Sequence, residues 1–457
     1  MPPLNSRAFI RVSALLASAL ALLPGSALAA DAQGTPDLPT VNDPKMSLSQ
    51  ALRIAAQNSV ALKQMQADAD SASAATRAAN AQTRPSLSTT TYGTVGDSSN
   101  ILTTSPGVVP QNLFAVPPRG FADQNLMLMV PLLTGGRLGN NVTAAREQSE
   151  AARLTVQASR LTVTEAVTED YANAALQRAL VDVAQARLTA EDEQVRVTQE
   201  KVNAGRSAPV DLLREQAEQA DARQALLAAQ NGAAQALVGL KASLGASQES
   251  DIVLSDGLDA LAGPEAAPPP ATLREALRLA EAHRPEMAAA QRQVEAAQAG
   301  VGAAQGAYSP QVYGVAMADA MTGQGVGRTG YTVGLTASLP LYDGGQRRAD
   351  VDGARARLDR ARADALEARQ TADRQAASTW LSLRTATASV SAASAGVAAA
   401  QESYALATLR YRAGKSVAAE RLDALSALTR AQGTQAQAKA GLVIARAALR
   451  AALGCPP

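Results

Sequence analysis

Aromatic residues make up only 3% of this 457-residue chain, which has one cysteine, one histidine and one tryptophan. Each shortage excludes something. Aromatic side chains supply much of the buried area of a compact globular core. A long chain with so few of them points to thin helix-on-helix packing, in which alanine lets backbones approach closely. The lone Cys455 excludes a disulfide within the chain. Together with the lone His283 it leaves no His/Cys cluster with metal-ligand spacing, so no metal and no other cofactor is expected. A net charge of +1 provides no general basic field, and a nucleic-acid partner is not expected. Beyond the first residues no stretch of about 18 apolar residues occurs, so no transmembrane helix is expected.

The first residues carry Arg7 and Arg11, an apolar segment from Val12 to Leu23, a break at Pro24-Gly25, and Ala27-Leu28-Ala29. That arrangement reads as a secretory signal peptide over residues 1–29, followed by an N-terminal extension over residues 30–46. No cysteine follows the expected cleavage point to receive a lipid, which argues against a lipoprotein anchor.

The chain repeats itself. Pro131-Leu132-Leu133-Thr134-Gly135-Gly136-Arg137 is echoed 209 residues later by Pro340-Leu341-Tyr342-Asp343-Gly344-Gly345-Gln346. The same offset carries Ala204-Gly205-Arg206-Ser207 onto Ala413-Gly414-Lys415-Ser416, and Leu244-Gly245 onto Leu453-Gly454. Upstream, Ser47-Leu48 matches Thr272-Leu273 and Pro85 matches Pro310 at an offset of 225, so the first copy carries 16 extra residues between Pro85 and Pro131. The extra residues fall in a Pro/Gly/Ser/Asn-rich stretch from Gly96 to Gly120, which reads as a long exposed loop. The expected organisation is a first repeat over residues 47–245, a linker over 246–271, a second repeat over 272–454 and a short tail over 455–457.

Within each repeat the hydrophobic period changes. Ser47 and Thr272 read as helix N-caps, with helical tracts running until Pro85 and Pro310 stop them. Tyr331, Val333, Leu335, Ala337 and Leu339 alternate with polar or small residues, a strand with one apolar face. Pro310–Asp319, Ser86–Val95 and Asp123–Val130 are its weaker companions. A helical tract from Gly136 to Asn203 would extend roughly 100 Å at 1.5 Å per residue, and it needs neighbours to cover its apolar stripe. Four strands cannot close a barrel by themselves, and bacterial barrels begin at about eight strands, so several copies must pool their strands. A dimer would supply eight and a trimer twelve; a conduit favours the larger.

This order, with the Leu339-Pro340-Leu341-Tyr342-Asp343-Gly344-Gly345 motif and the Tyr411-Arg412-Ala413-Gly414 turn, resembles the TolC-type outer membrane efflux protein family. The resemblance implies a mainly α fold with a membrane β-barrel: a long α-helical coiled-coil barrel plus four strands per chain, with a homotrimer sharing twelve strands. It further implies a location in Gram-negative outer membrane lipid, with the helices reaching into the periplasm. The implied partners are a periplasmic adaptor (membrane fusion protein) and an inner-membrane pump of the RND or ABC type, serving efflux or type I protein secretion.

The resemblance also assigns residues. The closed tip would be formed after the second repeat's turn by Glu420 and Asp423, whose i,i+3 spacing places both carboxylates on one helical face. Around a threefold axis they would form two stacked rings that attract cations. The first repeat has Asp211 and Arg214 at the equivalent places. Tyr411 matches a latch position, whereas Ser416 stands where an arginine is often found, with Arg206 and Lys415 the nearest substitutes. Gly205 and Gly414 mark the helical turns where an adaptor would dock.

The remaining features read as structural. Arg355, Asp359, Arg360 and Asp364 form helix-spaced pairs on a solvated face. Gly325-Val326-Gly327-Arg328-Thr329-Gly330 has the spacing of a dinucleotide fingerprint but opens no helix, and reads as a strand-connecting loop. His283 and Trp380 receive no role. A periplasmic coiled-coil scaffold would share the signal peptide and alanine-rich helices but not paired strands inserted between helices in two copies. An enzyme would need a convergent acid, base or nucleophile set that is not apparent.

Overall fold

The structure, a computed structural model, describes residues 38–94, 121–264, 268–323, 326–413 and 415–455. The expected signal peptide and the loop from Gly96 to Gly120 lie outside these residues.

In chain order the elements are β1 (Asp43–Met46), α1 (Leu48–Asn58), α2 (Val60–Ala81), β2 (Ser86–Thr94), β3 (Phe121–Leu133), α3 (Arg137–Asn203) and α4 (Pro209–Ser243). There follow β4 (Ile252–Leu254), α5 (Leu258–Leu261), α6 (Leu273–His283), α7 (Pro285–Gly306), β5 (Gln311–Gly323), β6 (Val326–Ser338), α8 (Gln346–Arg412) and α9 (Ala418–Ala452). Lengths match in pairs: α1 and α6 have 11 residues, α2 and α7 22, α3 and α8 67, and α4 and α9 35.

Both expected caps form. Ser47 Oγ accepts the Gln50 N–H at 3.3 Å while Gln50 Oε1 accepts the Ser47 N–H at 2.7 Å, and Thr272 Oγ1 accepts the Glu275 N–H at 3.3 Å. The helices that follow do not run unbroken to Pro85 and Pro310. Pro285 forces Arg284 into an extended conformation (φ −70°, ψ 120°), ending α6, and Pro285 itself starts α7. Ser59 has a similar extended ψ of 121° and its Oγ receives the Leu62 N–H at 3.5 Å, so a polar side chain restarts the helix there.

The chain forms two compact units. One contains residues 74–145 and 297–356. Its centre is an antiparallel sheet in the order β2-β3-β5-β6, in which β3, β5 and β6 each have 13 residues. These strands exceed the lengths expected from alternation. Residues 326–330, expected as part of a loop, belong to β6, with Gly330 opposite Asp319 and Gly327 opposite Thr322. Glycines there hide the two-residue period, and backbone pairing needs no side chain to persist. Register places Leu87, Leu128, Ala316 and Val333 on one face and Ser88, Met127, Met317 and Thr332 on the other. On the apolar face Tyr331, Val333 and Leu335 are 84%, 76% and 73% exposed, so nothing among the described residues covers them. Among the described residues, β2 and β6 each leave one edge unpaired.

The other unit contains residues 38–73, 146–296 and 357–457. Its largest buried cluster joins Met46, Ala51, Val167, Tyr171, Leu240, Leu244 and Ala440 with Ile252 and Leu254. Tyr171 is fully buried, donates its hydroxyl to the Met46 carbonyl at 2.8 Å and accepts the Asp256 N–H at 3.3 Å. Residues 246–271, expected as a linker, instead contribute structure to this cluster. Ile252–Leu254 pairs in parallel with Asp43–Met46, and Leu258 of α5 is buried. A strand of three residues shows no period, which is why it reads as linker. Trp380 packs in a second alanine- and leucine-rich cluster and donates Nε1 to the Pro270 carbonyl at 3.0 Å. The charge pairs on α8 are exposed, with Arg360 3.8 Å from Asp364, Arg355 reaching Asp352 rather than Asp359, and Asp359 joined to Arg362.

Two glycines with positive φ make a test. Gly135 (φ +56°) packs so closely that an added Cβ would lie 2.4 Å from Ser309 Cβ and 2.5 Å from the Gly306 carbonyl oxygen. Gly205, in the turn after α3 (φ +66°), has nothing within 4 Å. Gly205→Ala is expected to cost about 1 kcal/mol of backbone strain, whereas Gly135→Ala adds a backbone clash. Thermal unfolding of the two variants side by side should show the Gly135 variant melting well below the Gly205 variant; equal midpoints would refute the close-approach argument.

Candidate functional site

The sequence directs attention to two turns, residues 204–208 between α3 and α4 and residues 413–417 between α8 and α9, all within the second unit. In the first, Gly205 supplies the left-handed conformation that lets the Arg206 N–H bond back to the Lys201 carbonyl at 2.8 Å. Asp211 is turned onto its own helix start, accepting from Ser207 Oγ at 2.8 Å and from the Ala208 N–H at 3.3 Å. It acts as the acidic cap of α4, where the positive end of the helix dipole favours a carboxylate. Arg206 is exposed on the turn.

In the second turn Gly414 lies outside the described residues, and Lys415 is exposed. Ser416, the residue in place of the family's frequent arginine, has a buried hydroxyl with no hydrogen-bond partner. Glu420 is not a free acid: Arg410 Nη1 on α8 lies 2.9 Å from its carboxylate. Asp423 is exposed. The second turn therefore presents one acid neutralised across the hairpin and one left open. Nothing in the i,i+3 spacing reveals Arg410, because the pairing runs between antiparallel helices.

Tyr411 is held from two sides by α3. Its hydroxyl accepts from Gln194 Nε2 at 3.2 Å, and the Lys201 ammonium lies 4.3 Å from its ring centre. The cation beside Tyr411 is thus Lys201, while Arg206 and Lys415 stay on the turns.

One group escaped the sequence reading altogether. Arg421, next to Glu420, is buried between two carboxylates, with Nη2 3.0 Å from Glu215 on α4 and 3.4 Å from Glu191 on α3. The three side chains are at most 3% exposed. Burial pushes both carboxyls above the usual carboxylate range, and Arg421 opposes that shift only in part. A signal did exist: Arg421, Leu425 and Leu428 share the buried stripe of α9, and a charge in that stripe demands a partner. Its partners lie 206 and 230 residues away, beyond the reach of any local pattern.

Residues 51–246 and 276–455 match the family described as outer membrane efflux protein. Among curated relatives, protein CyaE of Bordetella pertussis is 30% identical over 203 residues, 42% of each chain. Outer membrane protein OprJ of Pseudomonas aeruginosa is 29% identical over 146 residues, 31% of this chain and 30% of that protein. These matched stretches thus span less than half the length of either relative. Among solved structures, outer membrane protein VceC of Vibrio cholerae shares the fold with a TM-score of 0.71 at 22% identity, covering 89% of this chain and 96% of that one. No described helix is long and apolar enough to cross a membrane. With both halves of its length matched to one family, the chain belongs to the outer membrane efflux protein family and is an outer-membrane protein.

Proposed function

We propose that three copies of this chain form an outer-membrane export channel, each supplying one four-stranded sheet to a twelve-stranded barrel and its helices, in a duplicated arrangement, to a periplasmic tube. The observation that carries this reading is the open sheet. Among the described residues its edge strands present unpaired backbone groups, and its apolar face is exposed. In hydrocarbon every unpaired N–H and C=O costs several kcal/mol, so strands of this kind are tolerated only in a closed barrel. Strands of 13 residues exceed the roughly 10 that a tilted strand needs to cross. Four strands fall short of the eight or so of the smallest bacterial barrels, and closure requires further copies.

At the turns, the reading assigns Glu420, Asp423 and Tyr411 to a gate and the Gly205 and Gly414 turns to adaptor docking. An inner-membrane pump behind the adaptor would select the cargo, because a water-filled tube makes few specific contacts. Pairing of pump and adaptor with this chain is testable by cross-linking from Arg206 and Lys415, both exposed.

The mass of the detergent-solubilised protein, measured by light scattering with detergent subtracted and paired with planar-bilayer conductance, tests the assembly. A conducting trimer is expected. A conducting dimer would replace twelve strands by eight, and a non-conducting monomer would remove the channel in favour of a scaffold.

The gate has its own test. Glu420→Ala with Asp423→Ala should raise single-channel conductance and weaken block by multivalent cations. Arg410→Ala should do the opposite to block, since it leaves Glu420 uncompensated. The pair is roughly half-exposed (58% and 41%), so neither variant should cost more than about 1 kcal/mol of stability. Unchanged block in both would take these residues out of the gate.

A further inference from the structure

The Glu191–Arg421–Glu215 cluster carries more buried acid than buried base. With both carboxyls ionised it would hold two negative charges against one positive charge, in a place that water does not reach. The geometry does not relieve the imbalance. One nitrogen, Arg421 Nη2, serves both acids, so neither receives the two parallel bonds of a forked guanidinium–carboxylate pair. Glu215 Oε1 and Arg421 Nε are buried without hydrogen-bond partners. The surroundings do not supply the missing positive charge either. From α3 the cation acting on Glu191 is Arg187, itself 3.4 Å from Glu218 of α4, whose negative charge works the other way on both acids. Gln194, also of α3, is neutral; it faces Glu215, where it opposes protonation in part, and it also reaches Thr198 and Tyr411.

We propose that this cluster is a proton-binding site: it takes up one proton, shared between Glu191 and Glu215, and in that state locks α9 onto α3 and α4. One proton makes the cluster neutral, with one carboxylate facing one guanidinium. Burial favours that state by raising the carboxyls' proton affinity, with Glu218 adding to it and Arg187 opposing it at Glu191. Arg421 is thereby a positioning residue. Adjacent residues on a helix point about 100° apart, so holding Arg421 inward turns Glu420 toward Arg410 and leaves Asp423 in solvent.

The sign of the pH dependence follows. A carboxyl whose proton affinity is raised in the folded state contributes stability that is complete below its ordinary pKa of about 4.3. That contribution is lost as pH rises through the folded-state value. Acid therefore favours the lock, and alkali favours its release. The consequence for conductance rests on the channel reading above; the proton site itself does not.

The experiment compares the intact solubilised protein with Glu215→Gln and Glu191→Gln from mildly acid to mildly alkaline pH, by thermal melting and by planar-bilayer conductance. Glutamine keeps the shape and balances Arg421 against the remaining carboxylate without a proton. The wild-type melting midpoint should fall relative to both glutamine variants as pH rises, and wild-type conductance should rise with pH while theirs loses that dependence. Parallel melting curves for all three proteins would overturn the proton site, whether or not the protein conducts. Diverging melting curves with no conductance would support the site and refute the channel. Diverging curves with identical conductance profiles would overturn the lock on the tip. The two glutamine variants keep the test independent of Arg421→Met, which would leave two buried carboxyls without their cation.

Discussion

A helix of 67 residues cannot bury its apolar stripe against itself, and this chain has two of them. Each must be covered along its length by other helices, and with so few aromatic residues the cover is made of alanine and leucine. Such an interface is close-packed but almost featureless. Each buried methyl or methylene contributes about 0.8 kcal/mol, whichever alanine supplies it, so sliding by one turn changes the sum little. What fixes the alignment is a small number of polar side chains buried at particular heights. Tyr171 ties its helix to the Met46 carbonyl, Trp380 ties its helix to the Pro270 carbonyl, and Arg421 ties α9 to α3 and α4. A misaligned helix would leave these groups buried without partners, at about 1–3 kcal/mol for a neutral group and about 3–5 kcal/mol for one member of a buried ion pair.

The same distinction orders the contacts around the turns. Arg410–Glu420 and Lys201–Tyr411 face solvent at least in part and hold with energies near 1 kcal/mol. The Arg421 cluster is buried and resists separation several times more strongly. In the gate reading, this difference allows Asp423 and Glu420 to change their surroundings without unpacking the helices beneath them.

Much of the architecture was legible in the sequence because its signals are local. Ser47 and Thr272 announce their helices by oxygen acceptors and by an acid or amide three residues on. The alternation from Tyr331 to Leu339 announces β6, and the repeated Pro-Leu and Gly-Gly motifs announce the strand-to-helix turns. Three of the misses share one cause, a partner remote in sequence. Residues 326–330 are strand because β5 pairs with them, Ile252–Leu254 because Asp43–Met46 does, and Glu420 is neutralised because Arg410 returns beside it. The breaks at Ser59 and Arg284 are different: Pro285 was a local signal, and only the overall helical periodicity concealed it. At the candidate site, the turns, Tyr411 and the acids are singled out by family resemblance alone. The deepest group, Arg421 with Glu191 and Glu215, reads in isolation as three unremarkable charges on three helices.

The sheet obeys a stricter rule than the helices. An α-helix satisfies its own backbone and can stand in water with one stripe covered, so nothing in α3 or α8 alone dictates how many chains assemble. A strand satisfies its backbone only through neighbours, and among the described residues β2 and β6 each lack one. Charged residues or proline commonly guard exposed edges of soluble sheets, but β6 presents Tyr331, Val333 and Leu335 on its face. A face and an edge of this kind are consistent with lipid on one side and another strand on the other. In the channel reading, the demand for partner copies therefore originates in the strands, and the long helices would conform to whatever number of copies closes them.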